Sequence, residues 1–310
     1  MDYWYDAAGE EAAAGEAEAA ERRALWEQHA ERGAARRRRI EAAGGPWVRR
    51  QAERARRRER ALAGSAFWAS CRAALRAAAA GGAAPPEELV CYGLGPLELA
   101  AGGWQLALLL LLAAELGIAP GAVLCYDPAH TPQEEAALAA CGVTPLRADE
   151  RAMRACAVPT LFYMPHCPYP LYNNLVCANW RAPWRLSWIG NDLSFHALHN
   201  HPFATVAPHL HRAMRVLDTA RLPDTFEPPP EEEGDDEDDE DGGAPVSSTQ
   251  IFGLSALYTF PPREEWLAAE PGEPLANWLA DGPPELPTQE NLEARSEHST
   301  LALHSMRSLG

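Results

Sequence analysis

From residue 85 onward, short unbroken apolar runs alternate with longer stretches of helical periodicity. Leu89-Val90-Cys91-Tyr92 has no polar interruption and stops at Gly93-Leu94-Gly95, the pattern of a buried strand and a tight turn. Leu97 to Leu116 is apolar almost all round, which predicts a buried helix ended by Gly117. Val123 to Tyr126 reads as a second strand, stopped by Asp127-Pro128. Thr131-Pro132-Gln133-Glu134 spells a capping box with proline at the first helical position, and that helix runs to Cys141 before Gly142. Val143–Leu146 predicts a third strand, Thr160–Met164 a fourth and Leu186–Ile189 a fifth. Helical segments are expected around Leu171–Trp180 and His209–Leu217, and a last strand over 251–258. Strands alternating with helices across short connections predict an α/β, Rossmann-like three-layer fold with a mostly parallel sheet.

The flanks differ. Residues 1–82 are rich in Ala, Glu and Arg, and Leu25, Trp26, Ile40, Trp47 and Val48 make no sustained apolar stripe, so this arm is expected to be largely disordered or marginally helical. The expected α/β domain spans 83–265, interrupted by an acidic insertion over 223–245, and 266–310 is expected to be a poorly ordered tail.

Charge sharpens this division. The 310 residues carry a formal charge of −17 and include no lysine; between Glu231 and Asp241 ten of eleven residues are acidic, whereas Glu21–Arg60 holds 14 Arg against 6 Glu. The arginine clusters 36–39 and 56–58 suggest a nuclear address or a weak phosphate contact, while the acidic remainder argues against nucleic acid on the core. Seven widely spaced cysteines without a CxxC pair predict reduced thiols in the cytoplasm or nucleus. The start MDYWYDAAGEE lacks the cationic-then-apolar order of a signal peptide, and the longest apolar run, Leu106–Ala114, is about half a membrane span, so no membrane partner is expected.

In an open parallel sheet, the residues just after each strand gather along one edge. That rule brings Gly93, Gly95, Asp127, His166, Cys167, Gly190 and Asn191 to one rim, with Asn173 and Asn174 on the helix that follows. Two glycines between a strand and a helix let a backbone approach phosphate or ribose, and an acid at the end of the next strand is where ribose hydroxyls are held. A third glycine would fall on Glu98, whose carboxylate repels a pyrophosphate, so a nucleotide or S-adenosylmethionine ranks behind other ligands. Cys167-Pro168 is the chain's only Cys-Pro pair, a motif associated with haem, which makes haem a candidate ligand with Cys167 as axial donor and His166 as runner-up. No partner pair at structural-zinc spacing accompanies them, so no other metal is expected. His196, His199, His201, His209 and His211 are expected to lie on a solvent-facing connector.

Read in order, Cys91-Tyr92-Gly93-Leu94-Gly95, Gln105-Leu106-Ala107, Tyr126-Asp127-Pro128, Phe162-Tyr163-Met164-Pro165-His166-Cys167, Leu171-Tyr172-Asn173-Asn174-Leu175 and Ile189-Gly190-Asn191 resemble the sensitivity-to-red-light-reduced family, whose vertebrate members are SRR-like domain proteins. The resemblance covers about residues 85–260. It implies a regulatory protein of the circadian clock and of haem biosynthesis, acting through regulatory protein partners or a ligand at the sheet edge, and carries over no catalytic residue. The alternative is a nucleotide- or S-adenosylmethionine-dependent transferase. The family's final strand carries Asn-Asp-Thr-Ser-Leu-His; here Gly253-Leu254-Ser255-Ala256-Leu257-Tyr258 stands instead, without the Asp and the His.

Overall fold

The apolar runs become a seven-stranded mixed sheet in the computed structural model, which describes residues 16–194, 203–223, 226–229, 251–269, 275 and 278. The strands are β1 (Glu88–Tyr92), β2 (Val123–Tyr126), β3 (Thr144–Pro145), β4 (Thr160–Met164), β5 (Leu186–Asn191), β6 (Asp218–Arg221) and β7 (Ser255–Thr259), in the order β3-β2-β1-β4-β5-β7-β6. The first five are parallel, and β7 runs antiparallel to both β5 and β6. The α/β expectation with a mostly parallel sheet therefore holds. β6 has no counterpart in the sequence reading because Asp218-Thr219-Ala220-Arg221 contains no large apolar residue and is an exposed edge.

Alternation divides the sheet residues between two faces. Val90, Tyr92, Phe162, Met164, Trp188, Ala256 and Tyr258 join one core with α5 (Tyr169–Ala178) and α7 (Pro208–Ala213), a neighbour of the short α6 (Phe203–Val206). Leu89, Cys91, Leu161 and Tyr163 are buried on the opposite face. α3 (Ala100–Leu116) is buried along Gly102–Leu112 and ends at left-handed Gly117, as its apolar pattern requires, although residues 97–99 form the turn before it. α4 (Pro132–Ala140) starts at the expected capping box, with Thr131 and Glu134 bonded reciprocally.

The flanking segments are more ordered than their composition suggests. α1 (Glu16–Ala63) breaks at left-handed Gly44, and α2 (Ala66–Ala80) is capped by Ser65. The described residues 16–44 fall in one compact unit and those from 45 to 278 in a second. Within the second unit Trp47, Leu62, Phe67, Trp68 and Cys71 are buried, so residues 45–80 are neither disordered nor marginally helical. Alanines and arginines diluted the apolar stripe that anchors them. The acidic insertion also starts later than expected, because Phe226 is buried and its ring meets Phe67, Trp104 and Phe252. The tail contributes α8 (Arg263–Ala268), and both Trp266 and Trp278 are core residues. The acidic run 231–241 and His196, His199 and His201 lie outside the described residues.

Candidate functional site at the sheet edge

The strand order reverses at β1, which connects onward to β2 on one side and has β4 on the other. Open α/β sheets bind ligands in the crevice at such a point. Here the chain's own side chains fill it. β1 leaves through Gly93 at φ 75°, where a Cβ would lie 2.7 Å from Cys167 Sγ. The Cys167 thiol donates to the Tyr92 carbonyl at 3.3 Å. Asn191 Nδ2 donates to the Cys167 carbonyl at 2.9 Å, fixing the turn after β4 against the end of β5. The Tyr172 hydroxyl donates to the Met164 carbonyl at 2.6 Å and accepts from Asn191 N at 3.1 Å. Its tip takes the space that a side chain at Gly190 would need.

Two further tethers close the rim. His166, itself left-handed at φ 52°, places Nε2 3.0 Å from the Ile251 carbonyl, and Gln105 Nε2 donates to the same oxygen at 2.6 Å. Gly253, at φ 64°, makes room for that imidazole. On the β2 side, Asp127 accepts from Gly95 N and from Ala129 N, each at 2.7 Å, while His130 Nε2 lies 2.9 Å from the Gly95 carbonyl. Glu134, fully buried, accepts from Leu97 N at 2.8 Å and so ties the glycine turn to the α4 cap.

Gly93, Gly95, Asp127, His166, Cys167, Gly190 and Asn191 thus come together on one edge. Asn173 and Asn174 do not. Asn173 Oδ1 accepts from His209 N and Leu210 N at 3.0 and 3.2 Å, so it caps α7, a helix that follows about 35 residues later. Asn174 Nδ2 donates to the Arg151 carbonyl at 3.0 Å, holding a loop that is left-handed at Arg151 and Ala152. Sequence reasoning missed Tyr172, Gln105, Glu134 and Tyr258, whose hydroxyl accepts from Leu193 N at 2.7 Å. The signal for Glu134 was present in the capping box; the others act by long-range contacts that no local pattern encodes.

The polar groups of this edge are committed to one another, and burial holds its thiol uncharged. Burial pushes the Cys167 thiol far above the usual thiol range, and the nearby Asp127 charge pushes it further. Burial likewise raises Cys91, helped by a hydrogen bond with Cys125, its register partner in β2. Haem ligation needs a thiolate or an accessible imidazole nitrogen. Cys167 is a buried thiol under Gly93 and His166 Nε2 is engaged by Ile251, so this arrangement does not fit haem. It does not fit a nucleotide or S-adenosylmethionine either, since the Gly95 N–H that would meet the ligand is given to Asp127. Among the described residues no three His, Cys, Asp or Glu side chains cluster as a metal site, and no helix is long and apolar enough to cross a membrane.

The fold and this edge define an α/β protein with a glycine turn at its first strand and a Pro-His-Cys turn at its fourth. Residues 62–304 match the SRR1 domain, and the chain belongs to that family. Over 107 residues it is 39% identical to an SRR1-like protein of Mus musculus, a match covering 33% of this chain and 43% of the relative. It is 37% identical over 103 residues to Protein SENSITIVITY TO RED LIGHT REDUCED 1 of Arabidopsis thaliana, covering 33% of this chain and 37% of that protein. The chain therefore spans less than half the length of the curated relatives it matches. No solved structure matches it.

Proposed function

We propose that this chain is an SRR-like regulatory protein whose core follows the Rossmann plan, acting in circadian gene expression and in the control of haem biosynthesis. It does so from the cytoplasm and nucleus, through a protein partner that docks on the carboxyl-terminal edge of the sheet. Family membership supports the regulatory class, and the name of the Arabidopsis relative links that protein to light response. The single observation carrying the mode of action is that the crevice at the strand reversal is filled by Cys167, Tyr172 and Asn191. A filled crevice offers its outer surface, which suits a protein better than a small molecule. Leu99 and Leu254, 44% and 39% exposed, stand on loops of this same edge and offer apolar area for a partner to bury.

The test uses cells lacking the resident relative and carrying a clock-gene reporter. Re-expressed full chain should restore period and amplitude. The double variant Leu99→Asp, Leu254→Asp should melt as the wild type does and fail to restore them. Full restoration by the variant would dismiss the edge as the docking surface. A wild-type chain that moves neither the reporter nor the transcript of the first haem-synthesis enzyme would dismiss the regulatory reading.

A further inference from the structure

Away from the sheet edge, an open groove of about 440 Å³ is lined by Ala52, Glu53, Arg56, Arg57, Arg60 and Ala140. It lies between residues 45–63 of α1 and the end of α4, where Arg56 donates to the Cys141 carbonyl at 3.0 Å and pairs with Glu59 at 2.8 Å. That tether fixes the groove's wall. Positions 56, 57 and 60 fall on one helical face by the i, i+3, i+4 rule, and all three are exposed. Arg54 and Arg58 of the same run are buried instead; Arg58 lodges its guanidinium in the notch left by Gly103, 5.6 Å from the Trp104 ring. The sequence cluster 56–58 is therefore two things. Arg58 is a core residue, while Arg56 and Arg57 join Arg60 on the outer face.

We propose that this groove is a docking site for an acidic segment of a partner protein, independent of the sheet edge. The groove's lining carries Arg56, Arg57 and Arg60 against Glu53, a local positive surplus in a chain whose formal charge is −17. Planar guanidinium groups pair with carboxylates in a forked geometry, and Ala52 and Ala140 add only small side chains to the groove's lining. A long nucleic acid would run past this short patch into the field of an acidic molecule, which favours a short acidic peptide. The interaction is electrostatic at the surface, so it weakens as salt rises.

The probe is a fluorescein-labelled dodecapeptide of alternating Asp and Glu, titrated with the full chain at low and at physiological salt and read by anisotropy. Saturable binding that weakens with salt is expected. The double variant Arg57→Ala, Arg60→Ala should lose about tenfold in affinity while its melting temperature stays unchanged, since each exposed ion pair contributes up to about 1 kcal/mol. Replacing the same two by Lys should retain most of the binding. No saturable binding at low salt, equal binding by the Ala variant, or tighter binding of a 12-base-pair DNA duplex than of the peptide would each overturn the proposal.

Discussion

Gly93 carries two requirements at once. Its φ of 75° is costly for any residue with a Cβ, and that Cβ would meet Cys167 Sγ at 2.7 Å. Gly93→Ala should therefore destabilise the fold by about 2–5 kcal/mol, from left-handed strain plus overpacking. Cys167→Ala in the same chain removes the sulfur and should recover the steric part while leaving about 1–2 kcal/mol of strain. Denaturant melts of the four chains in this cycle check it, and strict additivity would refute the contact. The raised thiol of Cys167 adds a chemical consequence, since its thiolate fraction in the native state is negligible around pH 8. Alkylation of Cys167 at that pH should follow global unfolding, and rapid modification of the folded chain would contradict its burial. At this scale the sequence was readable where a residue's role is local, as with the capping box of Thr131 and Glu134. It was unreadable where the role is remote, as with Asn173, which serves a helix on another segment, and Arg58, whose seat is a glycine 45 positions away.

Strand by strand, β1, β2, β4 and β5 were legible because buried parallel strands must be continuously apolar. The elements that escaped are those whose burial depends on a few large residues among small or charged ones. Trp278 shows how much one such residue does. Its ring stacks on Trp180 at 3.8 Å between centroids, its indole N–H donates to the Trp180 carbonyl at 3.0 Å, and Arg212 lies 5.6 Å from it and 5.1 Å from Trp180. Trp278→Ala should cost about 3–5 kcal/mol, measured by chemical denaturation, although a polar, Pro-rich tail would suggest no effect. His209 stands edge-on to Trp180 at 5.6 Å, and burial, with Arg212 adding to it, lowers its pKa below 6.5. The unfolded chain then binds a proton that the folded chain refuses, so this contribution is intact above about pH 6.5 and is lost as pH falls below that value. His209→Gln should flatten the fall in melting temperature between pH 7 and pH 5; an unchanged slope would exclude His209 as its source.

For the whole molecule, the boundary suggested by composition and the boundary set by packing disagree. Composition places the domain at 83–265, where the alternating pattern starts and stops. Packing extends it from residue 45 through Trp278, because four large buried side chains, Trp47, Leu62, Phe67 and Trp68, sit on one flank and Trp266 and Trp278 on the other. Each fully buried large apolar side chain is worth about 1.5–3 kcal/mol, and a domain's net stability is only about 5–15 kcal/mol. Losing the first group alone is therefore enough to abolish folding. Residues 16–44 fall in the other unit, so a cut before residue 45 leaves those contacts in place. A chain of residues 45–284 should express in soluble form and melt cooperatively within a few degrees of the full chain. A chain of residues 83–265 should be insoluble, or should melt without a cooperative transition. The same comparison separates the two flanks: residues 45–265, which keep α2 but lose Trp266 and Trp278, should melt cooperatively at a temperature lowered by more than ten degrees. At about 2–4 °C per kcal/mol for a chain of this size, a smaller shift would mean that the C-terminal tryptophans contribute less than their burial implies.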